Sequence, residues 1–484
     1  MKFPKTKHSN LFDASGNPIK YSIRNRYEAS YHTGSRSVLP SSVQDAAKDL
    51  NTYDRERMAA DARHLYQNSP LTRGLIQWLI TYIVGTGIRP CPATEDVNFN
   101  NTAKRIFNQW SKVADLQSRN SFWVMQQIAL MSTFLDGDIG IYLTRDQTNR
   151  PRLQLIESHN IRSNDRKIKA GYFNDGVQLD INGRPSAYEV RLKDGNYKTV
   201  DSNLFILQYI PERTCQYRGV TSLHAALHSI QDIEEICALE KQAVKLHSSL
   251  EGVIKLGQGD VFEEELIKDE THDPTVLDDQ EWKARQKYYQ ETISTETKVL
   301  ANGDSYESLA SNRPSPAWQG FVSHILQSIS LSLAIPPSVL LHSAATGPGV
   351  RRDLMAASRA FKRIQWRLAE QYQRIYEFVI YSEYVNRFIP SLPNDWKKTK
   401  WYYPKNITID SGRDSRADIE NLKMGLDTRE RLYGEYGLDW QEEIKQLAKE
   451  EKFIKEIAEK NGLAPQDLTL KTAKQLEQKQ DEEF

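Results

Sequence analysis

"SAATGPGVRRDLMAASRAFKRIQWRLAEQYQRIYEFVIYSEYVNRF" runs from Ser343 to Phe388. Its first ten residues make a small-residue turn that ends in Arg351 and Arg352. Beyond them Leu354, Ala357, Phe361, Ile364, Leu368, Ile375 and Val379 keep helical spacing to about Phe388, which predicts a helix of roughly 50 Å at about 1.5 Å per residue. That is long for a globular helix. Glycine beside positive charge ahead of a helix N-terminus suits phosphate. A phosphate-gripping loop, however, needs GxxxxGK[ST], because the lysine reaches the β and γ phosphates and the hydroxyl binds magnesium. Gly347-Pro348-Gly349 is followed by neither, so the loop is not a nucleotide pocket.

Working upstream, "FVSHILQSISLSLAIPPS" carries a helical stripe of Val322, Ile325, Leu326, Ile329 and Leu333, and the Ile335-Pro336-Pro337 step ends it. Another helix begins in "YRGVTSLHAALHSIQDIEEICALEKQAVKLHSSL", with Leu223, Leu227, Ile230, Ile233, Cys237 and Val244 on one stripe and Thr221 or Ser222 as its cap. Between the two lie the strand-like pieces "GVIKLGQGD" and "TKVLANGDSYESLA". They flank an insertion holding Asp260, Glu263, Glu264, Glu265, Asp269, Glu270, Asp273, Asp278, Asp279 and Glu281 against Lys268. The carboxylates lack the D-x-D-x-D-G spacing of a calcium loop, so the insertion reads as a solvated or partner-facing acidic surface.

The N-terminal half reads as α+β. Residues 1 to 50 are polar and without sustained periodicity, an extended arm with aromatics at Tyr21, Tyr27 and Tyr31. "RHLYQNSPLTRGLIQWLITYIVGTGIRP" predicts two helices divided at Asn68-Ser69-Pro70, the second with proline at its first position and a stop at Gly85. A third helix is expected over Asn101 to Ala114. After "FLDGDIGIYL" the text turns strand-like through "LQLIESHNI", a hairpin at Asn182-Gly183 and "LFILQYI". Past the long helix come a strand-like "WYYPKNITIDSG", helical "SRADIENLKMGL" and "TRERLYGEYGL", and a Lys/Glu-rich helical tail.

Composition and motif searches exclude several function classes. The 484 residues carry 64 Lys plus Arg against 64 Asp plus Glu, which argues against coating nucleic acid through bulk positive charge. Cys91, Cys215 and Cys237 have neither CxxC spacing nor an even count, so neither a disulfide framework nor a zinc site is expected and a reducing compartment fits. No apolar run approaches the length of a membrane span. There is no HExxH or GxSxG, and "GTGI" after a predicted helix is a helix stop rather than a dinucleotide fingerprint. His224 and His228 lie four apart on the predicted helix but have no third ligand in view. No catalytic residues, metal or cofactor are expected.

The order of parts resembles a specific family. The arm, "ARHLYQNSPLTRGLIQWLITYIVGTGI", "FLDGDIGIYL", "LQLIESHNI", "YRGVTSLHAALHSIQDIEE", "LSLAIPPSVL", "AASRAF" and "DIENLKMGLDTRERLYGEYGLDWQEEIKQLAKE" are similar to the portal proteins of tailed bacteriophages, of the lambda type, from about Arg26 to Gly462. The resemblance implies a largely helical α+β portal-protein fold with wing, stem, clip and crown. It is expected to lie as an arm over 1–50, wing over 51–215, stem helix over 216–251, clip over 252–315, second stem helix over 316–335, tunnel loop over 336–352, the wing's long spanning helix and following strand over 353–408, crown over 409–462 and a charged tail over 463–484. It implies a homo-oligomeric ring, usually of twelve subunits, at one capsid vertex, packaging and releasing double-stranded DNA without sequence specificity. It further implies docking of the terminase large subunit and then of a head-completion protein, contacts with major capsid and scaffold proteins, and assembly in the host cytoplasm without a membrane.

By the same resemblance Ser343, Ala344, Ala345, Thr346, Gly347, Pro348, Gly349, Val350, Arg351 and Arg352 line the DNA channel. The two arginines would face phosphate or the next subunit's carboxylates; the plainer alternative is that both sit in the first turn of the long helix and make surface ion pairs. Where the family often has a serine-rich turn, this chain has Gly347-Pro348-Gly349. The motor-docking face falls on Asp260, Glu263, Glu264, Glu265, Asp269, Glu270, Asp278, Asp279 and Glu281, whose charge favours a basic partner and repels DNA. Rival readings are a coat or scaffold protein, which would not need this order of parts, and a packaging ATPase or nuclease, which would need a P-loop and an acidic metal pair.

Overall fold

The computed structural model describes residues 45–163, 173–249, 253–255, 283, 305–307, 316–338, 348–405, 411–436 and 438–461. The arm before residue 45, the acidic residues Asp260 to Glu281, the loop residues Ser343 to Gly347 and the tail beyond 461 lie outside them. Among the described residues the architecture is largely helical with four small antiparallel sheets.

A short helix α1 (Ala46–Asp49), inside the stretch expected as arm, leads to α2 (Thr52–Asn68) and α3 (Pro70–Ile83). The break between α2 and α3 lies where Asn68-Ser69-Pro70 puts it. Pro70 needs no N–H partner at the first position, and the Ser69 hydroxyl accepts from Thr72 N at 3.1 Å. Gly85, in the left-handed region at φ +50°, turns the chain after α3. Strand β1 (Arg89–Pro92) follows, then α4 (Val97–Ser111), capped by Asp96, whose side chain accepts from Asn98 N and Phe99 N. α4 starts four residues before the expected Asn101 because Asp96 supplies the cap. Helix α5 (Phe122–Leu135) has no counterpart in the sequence reading. It buries residues on several sides, Phe122, Met125, Ala129, Leu130 and Phe134 among them, so it shows no amphipathic stripe.

The strand-like text forms two sheets. β2 (Asp138–Arg145) pairs with β3 (Pro151–Glu157) and with β8 (Phe205–Tyr209), in the order β3-β2-β8. β4 (Phe173–Asn174), β5 (Val177–Leu179), β6 (Pro185–Arg191) and β7 (Tyr197–Asp201) form a meander, with Gly183 at φ +76° in the β5–β6 turn. Because successive side chains point to opposite faces, the three-stranded sheet separates two cores. Ile141, Leu143, Leu153 and Ile206 face the helices. Ile156, Phe205 and Leu207 face the meander, where Tyr188 stacks on Phe205 at 4.6 Å.

The second half is built from α6 (Leu227–Ser249), β9 (Val253–Lys255), β10 (Ser305–Glu307), α7 (Pro316–Ser332), α8 (Pro348–Val385), β11 (Thr399–Tyr402), α9 (Ser411–Lys423), α10 (Arg429–Glu435) and α11 (Trp440–Asn461). Helix α8 has 38 residues, about 57 Å. Its expected stripe runs through the main core: Ala357, Phe361, Leu368, Ile375 and Val379 are all 5% exposed or less. β11 crosses back to pair with β1, Pro92 opposite Thr399. Two prolines in β1 are tolerated because that ribbon has only two strands.

Gly74 sits inside α3 with nothing within 4 Å of where a Cβ would be. Gly74→Ala is therefore expected to stabilise the subunit by about 0.5–1 kcal/mol, through helix propensity and a less free unfolded chain, read as a small rise in thermal midpoint. An unchanged or lower midpoint would contradict the open surroundings of this position.

Candidate functional site

The two sequence pieces FLDGDIG and YRG, about 80 residues apart, meet at one buried junction. Arg218 donates from Nε and Nη2 to the two Asp138 carboxylate oxygens at 2.7 and 3.0 Å, and also to the carbonyls of Ser158 (3.0 Å), Ile161 (2.7 Å) and Asp175 (2.5 Å). Gly219 N donates to Asp138 at 2.9 Å, and the Ser158 hydroxyl donates to the same carboxylate at 2.5 Å. Arg55 of α2 joins by donating to Asp175 at 2.7 Å and to Ser158 Oγ at 2.9 Å. Next to it Asp136 accepts a bidentate pair from Arg63 at 2.6 and 2.8 Å. Asp138 is fully buried and Arg218 is 4% exposed. Burial pushes the Asp138 carboxyl up, but the charge and hydrogen bonds of Arg218 outweigh it and hold the carboxyl below the ordinary aspartate value.

The backbones themselves touch at this junction. A Cβ on Gly219 would lie 1.9 Å from the Gly137 carbonyl oxygen, and one on Gly137 would lie 2.5 Å from the Gly219 carbonyl carbon. Close approach and a paired charge thus fix where the chain leaves the sheets and enters α6. Leu223 and Ile230, fully buried, and Ile233 seat the beginning of that helix in the core. The helix starts at Leu227 rather than Leu223; Thr221 bonds Leu223 N at 3.2 Å and Phe134 O at 2.9 Å across a turn. His224 lies in that turn, its Nδ1 bonded to Thr221 O at 2.9 Å. It therefore does not share a helical face with His228 as the i, i+4 spacing suggests.

Farther along, α6 and α7 pack side by side, and the strands beyond them pair antiparallel, Ile254 opposite Tyr306. The acidic insertion expected between the helices is joined at both ends by this ribbon. One face of the pair is buried and another is not. Ile329 is 1% exposed, whereas Leu239 is 58%, Phe321 51% and Leu331, two residues from Ile329, 68% exposed. Of the expected stripe, Cys237 and Val244 are only half-buried. Among the described residues the helix pair therefore leaves apolar side chains exposed.

At the head of the long helix, Pro348, Gly349, Val350, Arg351 and Arg352 are already helical. The expected boundary between loop and helix, after Arg352, moves back to Pro348, because proline is preset for a first helical turn. Arg352 has a side chain 83% exposed and pairs with Asp353 at 3.4 Å. The Ser338 hydroxyl donates to Asp353; this bond first, then Arg352, holds the carboxyl below its ordinary value. A carboxylate in the opening turns offsets the cost of two cations at the positive end of a helix dipole. Of the expected channel residues, Ser343, Ala344, Ala345, Thr346 and Gly347 lie outside the described residues, as do all nine expected motor-docking carboxylates.

Among the described residues no three His, Cys, Asp or Glu side chains come together to hold a metal, and no helix is long and apolar enough to cross a membrane. The three cysteines are free, Cys91 buried and Cys215 exposed. Arg55, Asp136, Asp138 and Arg218 are not legible as a unit in the sequence; the signal there is only a pair of aspartates flanking a glycine and, about 80 residues on, an Arg-Gly step.

No curated protein matches the chain. Among solved structures, a chain in the neck of a native gene transfer agent particle, computed with C12 symmetry, is 11% identical and covers 80% of this chain and 94% of its own, at a TM-score of 0.49. A chain of the virion of a native gene transfer agent particle is 12% identical over 81% and 97%, at 0.48. An HK97 family phage portal protein from Corynebacterium diphtheriae is 10% identical over 64% and 84%, at 0.28. The sequence profile of the phage portal proteins of the lambda family matches residues 33–365, more than half the chain, and spans the Arg218 junction, the paired helices and the head of the long helix. The chain belongs to the lambda family of phage portal proteins.

Proposed function

We propose that this portal protein closes into a ring of about twelve subunits at one vertex of a phage capsid, the passage for double-stranded DNA into and out of the head. The observation that carries the ring is the helix pair α6 and α7, whose Leu239, Phe321 and Leu331 are left more than half exposed among the described residues. Closed rings need heterologous contacts, one surface meeting a different one on the next copy, and half-buried helices supply such faces. In this reading α6 and α7 are the stem, the α+β part before them with α8 is the wing, the insertion between them is the clip, and α9 to α11 form the crown. The role is structural, with no chemistry of its own, in the virion after assembly in the host cytoplasm.

Arg351 and Arg352 at the head of α8, with Ser343 to Gly349 before them, are the surface offered to DNA. A formally neutral chain that presents a few cations per subunit around a ring gives many weak phosphate contacts, which guide without gripping and read no base edges. The carboxylates between Asp260 and Glu281 give the clip a face for a basic partner, first the terminase large subunit and then a head-completion protein; deleting Phe262 to Glu281 is expected to leave rings intact and abolish motor binding.

The test of the channel is the double variant Arg351→Ala, Arg352→Ala, assayed separately for ring assembly and for packaged DNA length. Normal rings with shortened or poorly retained DNA are expected. Full-length packaging would return both arginines to the plain surface ion pairing that Arg352 already makes with Asp353.

A further inference from the structure

A groove of about 710 Å³ opens between the middle of α8, strand β11 and helix α10. Its position is fixed by packing. Trp401 donates to Gln373 of α8 at 3.1 Å. Gly434 of α10 sits so close to β11 that a Cβ there would meet the Tyr402 ring at 2.7 Å. Trp366, Trp401, Tyr403 and Pro404 give it an apolar lining. Trp366 is 70% exposed although it sits mid-helix. The cations at the groove fall into two sets. Lys400 pairs with Glu430 at 3.5 Å, and Arg431 with Asp427 and Glu435, each at 3.7 Å. Lys362 and Arg363, one turn before Trp366, are exposed and make no ion pair or hydrogen bond among the described residues.

A short segment carrying carboxylates beside an aromatic ring would complement this lining. The N-terminal residues 1–44 hold seven Lys and Arg against two acids, the wrong sign. Asp481-Glu482-Glu483-Phe484 has the right one. It can also reach. Four residues separate α10 from α11, which runs 22 residues to Asn461, about 33 Å; the eighteen residues from Gly462 to Lys479 span up to about 60 Å when extended.

We propose that this groove is the docking site for the chain's own segment Gln480 to Phe484, with its carboxylates on Lys362 and Arg363 and the Phe484 ring against Trp366 and Trp401. Docking joins the last helix of the crown to the middle of the long helix without adding any regular element.

Full-length protein carrying p-benzoylphenylalanine in place of Phe484 tests this by photo-crosslinking and peptide mapping. Adducts are expected on peptides containing Trp366 or Trp401 to Tyr403, within one chain when isotopically light and heavy copies are mixed. Lys362→Glu with Arg363→Glu should cut their yield about tenfold, and adding Glu482→Lys with Glu483→Lys should restore it. Both pairs are exposed or outside the described core, so an unchanged thermal midpoint serves as the folding control. Adducts elsewhere, between copies, or insensitive to charge reversal would overturn the proposal. So would binding of a short fluorescent DNA strand that Lys362→Glu with Arg363→Glu abolishes while the crosslinks persist, which would make the groove a nucleic-acid site. Ring formation is read separately, so failure here leaves the portal assignment standing.

Discussion

Arg218→Met is expected to destabilise the subunit by about 3–5 kcal/mol, because it strips the partner from a carboxylate that stays buried. Asp138 would keep the Ser158 hydroxyl and Gly219 N but lose both guanidinium contacts, and the carbonyls of Ser158, Ile161 and Asp175 would lose their shared donor. Denaturant unfolding of the unassembled subunit measures it, and pH sharpens the measurement. In the wild type the Asp138 carboxyl lies below its ordinary value, so it favours the folded state at every pH above about 4 and loses that contribution only as the pH falls through the folded value. In the variant the largest lowering influence on Asp138 is gone while its burial remains, so the charged carboxylate is expected to be disfavoured and its protonation to offset part of the loss. The penalty should therefore be smaller at pH 5 than at pH 7. An equal penalty at both, or one under about 1 kcal/mol, would mean that the guanidinium does not hold this charge.

Gly219→Ala tests the same junction by shape alone. The added Cβ would fall 1.9 Å from the Gly137 carbonyl oxygen, a backbone atom that can move only if the turn entering β2 moves with it. Overpacking of this kind ranks with the largest single-substitution effects, about 4 kcal/mol or more. The expected result is subunits that express insolubly or unfold many degrees lower, with the start of α6 no longer seated on the main core. Gly320→Ala, in α7 with nothing within 4 Å of its Cβ position, is the control and should be harmless. If Gly219→Ala is tolerated as well as Gly320→Ala, the two backbones do not meet this closely in the folded protein.

The parts of the fold legible in the sequence are those governed by local chemistry. Ser69-Pro70 announces a helix start because a hydroxyl cap and a preset proline act within four residues. Asn182-Gly183 announces a turn because glycine adopts a positive φ without strain, and the α8 stripe is legible because one face is wet and the other is not. What escaped was either uniformly buried or distant. Phe122 to Leu135 is buried too widely to show a period. The β1–β11 ribbon joins residues some 300 apart, and prolines disguise β1 as a loop. Arg218 and Asp138 are plain charged residues until the fold places one on the other. At the head of α8 the error ran the opposite way: glycine and proline read as loop, whereas Pro348 opens the helix. Of the candidate functional residues the sequence supplied the family and the order of parts, through motifs whose physical content is the buried junction.

The central claim is that the apolar faces of α6 and α7 are covered by neighbouring copies in a closed ring. Native mass spectrometry of the purified full-length chain, with negative-stain images of the same sample, tests it most directly. About twelve copies of 55.7 kDa, near 670 kDa, with a central hole in end-on views, is the expected result. A folded monomer at working concentration, or open fibres and shells with no fixed copy number, would contradict it.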